Sequence, residues 1–265
     1  MTDFTLNDGR SMPRLGMGTW QIAENQAAMI VRKGLDLGYR LVDTAAIYGN
    51  ERGVGDGYKG ADAFITTKLW NDAQGKADAA LDESLALLGL DAVDLYLIHW
   101  PAPGQGQFID AWKAMVALRD AGKARSIGVS NFLPDHLDAI IDATGVTPAV
   151  NQIELHPRFQ QRDARAYHDA HGIVTQSWSP IGQGKELLSD ETIGRIAAVH
   201  GRSPAQVVIA WHLAHGLSPI PKAADPEHLA DNAASATLML GADDMAAIDA
   251  LDRADGRIGP DPRSF

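Results

Sequence analysis

The sequence predicts an α/β fold: one (β/α)8 TIM barrel behind a small N-terminal β-hairpin, with its active site at the C-terminal ends of the strands. Three observations predict it. Extended apolar stretches alternate with stretches of helical periodicity along the chain, the pattern of parallel βαβ units. Eight such extended stretches can be counted, the number that closes a barrel. The Gly-x-Gly-x-x-Gly turn that a doubly wound open sheet would usually carry after its first strand is missing, since Gly16-Met17-Gly18 runs on into Thr19-Trp20. A length of 265 residues suits a single barrel domain spanning 1–265.

The elements follow in order. Phe4 to Leu15 contains Asn7-Asp8-Gly9, a strong turn signal between two short segments, and reads as the hairpin. Barrel strands are expected at Gly16–Trp20, Arg40–Ala45, Ala63–Leu69, Val93–Trp100, Ser126–Ser130, Ala149–Leu155, Ile173–Ser179 and Leu217–Pro221. Between them, sets such as Ala27-Ile30-Val31-Leu35, Leu81-Leu85-Leu88 and Ile193-Ile196-Val199 recur at helical spacing. The helix after the second barrel strand must be abbreviated, because only Gly49 to Ala63 is available for it. The stretch from about residue 253 is rich in Gly, Pro and Asp and reads as a loop or tail. With the short segment Pro101–Gln107, it suggests an open, permissive pocket.

Composition removes several function classes. The chain has no cysteine, which excludes disulfides, thiolate metal sites, iron–sulfur clusters and a cysteine nucleophile. Lys and Arg number 23 against 34 Asp and Glu, so the net charge of -11 opposes binding to nucleic acid or anionic lipid. Met1 to Thr5 lacks the basic and apolar regions of a signal peptide, and no apolar run reaches the length of a membrane span. A cytoplasmic protein acting on a small-molecule substrate, as a monomer, is the expectation.

In a barrel the chemistry sits at the C-terminal ends of the strands. The second strand runs Leu41-Val42-Asp43, and Tyr48 follows five residues after the Asp. The third reads Phe64-Ile65-Thr66-Thr67-Lys68-Leu69, and the fourth Leu95-Tyr96-Leu97-Ile98-His99-Trp100-Pro101. Each polar residue taken singly has an ordinary structural explanation: a capping Asp, a rim Tyr, a solvated Lys, a core His. Together, at the same end of adjacent strands, they compose a general acid. A phenol ionises at about 10, too high to release its proton readily. A neighbouring ammonium at Lys68 would lower that value, Asp43 would keep Lys68 charged, and His99 would orient a substrate oxygen. That chemistry suits carbonyl reduction. The hydride must then come from a nicotinamide or a flavin, because no side chain can supply it.

With these residues in place, the sequence resembles the aldo-keto reductase superfamily from Met12 to at least Asn232. The resemblance is carried by Val42-Asp43-Thr44-Ala45, Tyr48-Gly49-Asn50-Glu51, Thr66-Thr67-Lys68-Leu69-Trp70, Leu97-Ile98-His99-Trp100-Pro101, Ile127-Gly128-Val129-Ser130-Asn131-Phe132 and Asn151-Gln152-Ile153-Glu154. The run Ser177-Trp178-Ser179-Pro180-Ile181-Gly182-Gln183-Gly184 looks most like the bacterial 2,5-diketo-D-gluconate reductase branch. The resemblance implies NADPH or NADH extended across the barrel mouth, with Asp43, Tyr48, Lys68 and His99 as catalytic tetrad. It implies that Ser130, Asn131 and Gln152 hold the nicotinamide carboxamide and that Trp178 stacks on the ring. It also implies further cofactor contacts from Thr19, Trp20, Ser179, Ile181, Gln183, Lys222, Ala223, Asp225, His228, Asp231 and Asn232. The substrate pocket is expected from Trp20, Ile47, Trp70, Trp100 and Phe132. No metal is expected.

The chain departs from the family pattern at its phosphate site. NADPH-preferring members commonly have a hydroxyl after the Lys, where this chain has Ala223, and an Arg at the position of His228. Asp225 adds a carboxylate, although Asp225-Pro226 is also an ordinary helix start. Dual or NADH-leaning cofactor use follows as an expectation. Two other functions stay open: a barrel hydrolase, either metal-dependent or a glycosidase using Asp43 and Glu154, and a regulatory module that binds nicotinamide without turnover.

Overall fold

A computed structural model describes residues 2–265. The hairpin pairs β1 (Phe4–Thr5) with β2 (Ser11–Met12), antiparallel, with Phe4 opposite Met12. The turn lies at Asn7 to Gly9, as the sequence predicts, and Gly9 takes the left-handed φ of 84° that closes it. Leu6 and Met12 are buried with Leu41, Leu95, Leu97, Val150 and Ile220, so the hairpin packs onto the barrel's inner core.

Eight parallel strands follow: β3 (Met17–Gly18), β4 (Leu41–Asp43), β5 (Phe64–Leu69), β6 (Val93–Ile98), β7 (Ala124–Ser130), β8 (Val150–Glu154), β9 (Val174–Trp178) and β10 (Ser218–Pro219). Each pairs with the next in chain order. The seam closes where Gly16 N donates to Pro219 O at 3.1 Å, Gly18 N donates to Pro221 O at 3.1 Å, and Gly18 bridges Lys222. All eight expected strands are present, seven of them trimmed by one or two residues at one or both ends, while β7 begins two residues before the expected Ser126.

Helices alternate with the strands: α1 (Glu24–Asp36), α2 (Glu51–Tyr58), α3 (Ala77–Leu88), α4 (Phe108–Asp120), α5 (Pro134–Thr144), α6 (Arg162–His171), α7 (Glu191–His200), α8 (Pro204–Ala214), α9 (Pro226–Ala234) and α10 (Ala242–Asp249). The abbreviated helix is α2, eight residues long. Its glycines let it wedge between neighbours: a side chain at Gly57 would put its Cβ 2.7 Å from Val31 Cβ, and one at Gly55 would reach the Leu88 backbone. Helix α9 begins as its sequence predicts, and α8 begins with a side-chain cap as well. Ser203 and Gln206 form a capping box with Pro204 between them. Asp225 caps α9 by accepting from Glu227 N at 2.7 Å, and Pro226 takes the first turn.

Side chains along a strand alternate between its two faces. Val42, Ile65, Leu69, Tyr96, Ile98, Ile127 and Val129 face the helices. The opposite face on β4 is Leu41 then Asp43, and on β5 it is Phe64, Thr66, Lys68. On β6 it is Leu95, Leu97 and then His99 just past the strand. Each inward series starts apolar at the barrel core and ends polar at its C-terminal mouth. That parity, set by a period of two, delivers the expected residues to one place.

Candidate active site

Lys68 lies at the centre of this mouth and is wholly buried. Its Nζ donates to Asp43 Oδ1 at 2.6 Å and to Thr44 O at 2.8 Å, and sits 5.1 Å from the centroid of the Tyr48 ring. The second Asp43 oxygen accepts from Gln152 Nε2 at 2.8 Å. Gln152 Nε2 donates also to Gln176 Oε1 at 2.7 Å, and Gln176 Nε2 to Ser218 Oγ at 3.2 Å. A buried chain of amides therefore backs the ion pair from the far side of the barrel. Burial pulls the Lys68 pKa down, the charge of Asp43 and the hydrogen bond to it push it up, and the net shift is upward, so the ammonium keeps its proton.

Tyr48 ends a short turn, Ala46–Tyr48, that follows β4. Gly49 closes the turn at φ 65°. Asn50 pins it, its Nδ2 donating to Thr19 O at 2.9 Å and to Ile22 O at 3.0 Å while its Oδ1 accepts from Thr44 Oγ1 at 2.9 Å. The phenol ring meets His99 edge-on at 5.8 Å between centroids. Burial pushes the Tyr48 pKa up, the Lys68 charge pulls it down, and the net shift is upward. This corrects the expectation that Lys68 would bring the phenol below its ordinary value. Withdrawal from water outweighs the cation, and the phenol stays protonated until something accepts its proton.

His99 is buried, and burial with the Lys68 charge holds its pKa well below the ordinary imidazole value. Its ring is neutral, so it can offer a hydrogen bond without carrying a charge. Trp70 covers one side, edge-on at 5.0 Å between centroids. The backbone carbonyl of His99 accepts from Asn131 Nδ2 at 3.0 Å, which ties the fourth barrel strand to the fifth.

Asp43, Tyr48 and His99 open onto a cleft of about 1140 Å³, with Lys68 beneath them. Ser130, Asn131, Gln152 and Trp178 form one wall. Ser130 Oγ donates to Gln152 O at 2.8 Å, Asn131 Nδ2 to Ser130 Oγ at 3.0 Å, and Trp178 Nε1 to Asn131 Oδ1 at 2.8 Å. The indole is thereby fixed as a platform. From it the cleft continues past Ser179, Ile181 and Gln183 to Lys222, His228, Asp231 and Asn232. Asp231 is committed to the start of α8, accepting from Ser203 Oγ at 2.6 Å and from Gln206 Nε2 at 2.9 Å. Six non-glycine residues among those described adopt left-handed φ, and four of them line this cleft: Gln21, Asn131, Ser179 and Gln183. Backbone strain of this kind persists where a function needs the geometry.

Trp20, Ile47, Trp70 and Trp100 also line the cleft, Trp20 and Ile47 at its rim with 44% and 48% of their surface exposed. Phe132 does not, which corrects the expectation for it. Asn131 turns the chain at φ 63°, and Phe132 then packs into the helical layer, 5.7 Å from Phe108 and 5.8 Å from His136 between ring centroids. Three expected cofactor residues also lie off the wall. Thr19 is buried with its Oγ1 donating to Asp43 O at 3.0 Å, Ala223 is in the core, and Asp225 sits exposed at the start of α9. The sequence reading missed Gln21, Lys185 and the tail residues Gly259, Pro260 and Phe265, all on the wall. The tail has no periodicity, so nothing in it announced where it would fold.

The cleft fits an extended dinucleotide. A flat indole and a shelf of amides stand beside the tetrad at one end, and Lys222, Lys185 and His228 supply cationic and hydrogen-bonding groups further along. The nominated glycosidase pair does not face it as a pair: Asp43 is engaged by Lys68 and Gln152, and Glu154 by the tail amides of Ile258 and Gly259.

Comparison with known proteins agrees with this geometry. Residues 14–253 match the family described as Aldo/keto reductase family. The chain is 47% identical to methylglyoxal reductase DkgA of Salmonella typhimurium, over 100% of this chain and 98% of that protein. An aldo-keto reductase of Mycolicibacterium smegmatis is 48% identical, over 98% of this chain and 97% of its own length. Among solved structures, a Gox0644 mutant in complex with NADPH superposes with a TM-score of 0.97 at 51% identity, over 100% of this chain and 98% of that one. Barrel, site and sequence together place this chain in the aldo-keto reductase family.

Proposed function

We propose that Tyr48 donates the proton in the carbonyl reduction this enzyme performs, with small aldehydes and dicarbonyls of the methylglyoxal type as its substrates. The observation that carries the reading is the buried pair beneath Tyr48, Lys68 bound to Asp43 at 2.6 Å. As a member of its family the chain is an oxidoreductase dependent on a nicotinamide cofactor. Ser130, Asn131, Gln152 and Trp178 would hold that cofactor's reactive end, and Lys222 and His228 its phosphates. When bound in reduced form, the cofactor supplies the hydride.

The chain's own residues do the rest. Neutral His99 donates a hydrogen bond to the carbonyl oxygen and orients it. Tyr48 passes its hydroxyl proton to that oxygen as negative charge builds on it. The phenolate left behind is stabilised by the Lys68 ammonium, which Asp43 and Thr44 O hold in place. Trp20, Trp70 and Trp100 offer the substrate an apolar wall. Turnover of an aldehyde panel by the wild type and Tyr48→Phe tests this, and an unchanged rate in the variant removes Tyr48 from the mechanism. The same assay separates catalysis from a purely regulatory nicotinamide-binding role.

The second half of the proposal is relaxed cofactor choice, with NADH used well. Ala223 offers no hydroxyl and His228 is not an arginine, while Asp225, off the cleft wall and committed to the cap of α9, opposes a 2′-phosphate only through its charge. Lys222 remains to attract it. Measuring kcat/KM with both cofactors decides the point, and an NADPH preference of about a hundredfold or more, some 2.7 kcal/mol, defeats it.

A further inference from the structure

We propose that Glu154 is a positioning residue whose buried carboxylate fastens the C-terminal segment across the cleft, and that the fastened segment sets how large a carbonyl the cleft accepts. The size limit rests on the carbonyl-reduction reading above; the latch itself does not.

Glu154 is the last residue of β8, on the inward series that also carries Val150 and Gln152. It is 1% exposed. A buried carboxylate is costly unless its oxygens are satisfied. Here no Lys or Arg pairs with it among the described residues. Instead Oε1 accepts from Ile258 N at 2.6 Å and Oε2 from Gly259 N at 2.8 Å, while His156 Nε2 lies 3.2 Å from Oε1. Two consecutive amides on the two oxygens of one carboxylate fix both the position and the direction of the segment that carries them. The base of the latch is itself held, by Gln161 Nε2 on the Glu154 carbonyl and by the His156–Phe159 backbone pair.

The segment depends on this one anchor for its hydrogen bonding to the barrel. Among the described residues, every other hydrogen bond of residues 253–265 stays within that stretch. At the anchor the chain abuts the outer edge of the indole, where a Cβ at Gly259 would be 2.5 Å from Trp178 Cη2 and 3.0 Å from Glu154 Oε2. Phe265 then reaches 4.5 Å from Trp100 and 6.2 Å from Trp70 between ring centroids, and still shows 41% of its surface. A terminal aromatic so exposed is held by the path of the chain behind it as much as by its own contacts. With Trp70 and Trp100 it forms the outer wall of the cleft over His99. A small dicarbonyl fits beneath such a wall, and a fused aromatic aldehyde has to displace it.

The test joins amide hydrogen exchange at Ile258 and Gly259 to kinetics with methylglyoxal and 2-naphthaldehyde, using the full chain and its cofactor. In Glu154→Ala both amides should exchange at least about tenfold faster, since each loses its only acceptor. The KM for methylglyoxal should rise about fivefold with kcat within about twofold, because the tail binds and does not react. The kcat/KM ratio of naphthaldehyde to methylglyoxal should rise about tenfold or more. Glu154→Gln, which keeps one acceptor oxygen, should fall between wild type and Glu154→Ala on both readouts. Phe265→Ala should reproduce the selectivity change while the two amides stay protected. Protected amides in Glu154→Ala, or a loosened tail with unchanged selectivity, overturn the proposal. Should Glu154→Ala not fold, Glu154→Gln with wild-type exchange overturns it equally. If the wild type reduces no carbonyl with either nicotinamide, the functional reading and the size limit fall, and the exchange data alone then decide whether Glu154 is the latch.

Discussion

Replacing Lys68 by Met keeps most of the side chain's volume and removes its charge. The loss takes away the 2.6 Å bond to Asp43 and the 2.8 Å bond to Thr44 O. Asp43 is then left at 2% exposure with only the Gln152 amide on its second oxygen. Removing one partner of a buried ion pair costs about 3–5 kcal/mol when the other stays charged. Asp43 has an escape, because burial already raises its pKa and protonation relieves the stranded charge. An acid whose pKa is higher folded than unfolded has its full stability below the unfolded value and loses it as pH rises through the folded one. The destabilisation of Lys68→Met should therefore be about 3 kcal/mol or more at pH 8 and shrink to about 1 kcal/mol near pH 4. Urea unfolding at the two pH values measures it. Adding Asp43→Asn should recover stability at pH 8 to within about 1 kcal/mol of the wild type, since no buried charge remains. It should not recover kcat, which should stay down by about a hundredfold or more for want of a cation beside the phenolate. A loss of stability equal at both pH values, or a kcat within about tenfold of wild type in Lys68→Met, would refute the reasoning.

Further outcomes can be checked more briefly. Tyr48→Phe should lower kcat by about a hundredfold to ten-thousandfold while nicotinamide fluorescence titration shows cofactor affinity within about threefold. Because His99 is held neutral, the pH profile of kcat/KM should show no inflection from its protonation between about pH 6 and 8. His168 and His212 are buried, and burial pushes their pKa values down to about 4 and about 3. Each therefore gives up stability as pH falls below the unfolded imidazole value, roughly 3 kcal/mol apiece by pH 4, and thermal melts at pH 7 and pH 4.5 should show that acid lability. Asp225→Ser keeps the cap of α9 and removes its charge, so it should raise the NADPH to NADH ratio of kcat/KM several-fold with melting unchanged.

Much of the site was legible because a strand repeats every two residues and a barrel puts its strand ends together. Asp43, Lys68 and His99 each end an inward series that starts apolar, so parity alone carries them to the mouth. The cap at Asp225 was legible for a similar reason, since it closes within two residues of chain. Phe132 shows where this stops. It continues an alternation that Asn131 breaks with a φ of 63°, and a reversal at one residue sends the ring to the helices. The tail shows the same limit more strongly, because its anchor is about a hundred residues away at Glu154.

The sequence by itself determined the eight-strand order, the hairpin and the delivery of Asp43, Lys68 and His99 to one end of the barrel. These rest on local periodicity, on residue chemistry and on spacing along the chain. The tertiary structure decided the rest. It set the sign of the Tyr48 pKa shift, upward, because desolvation depends on everything packed around the phenol and outweighs the one cation that sequence could nominate. It also decided that Glu154 holds the tail and that Phe265 joins Trp70 and Trp100 in walling the cleft. Burial and contacts between distant segments are sums over space, and a pattern along the chain carries no record of them.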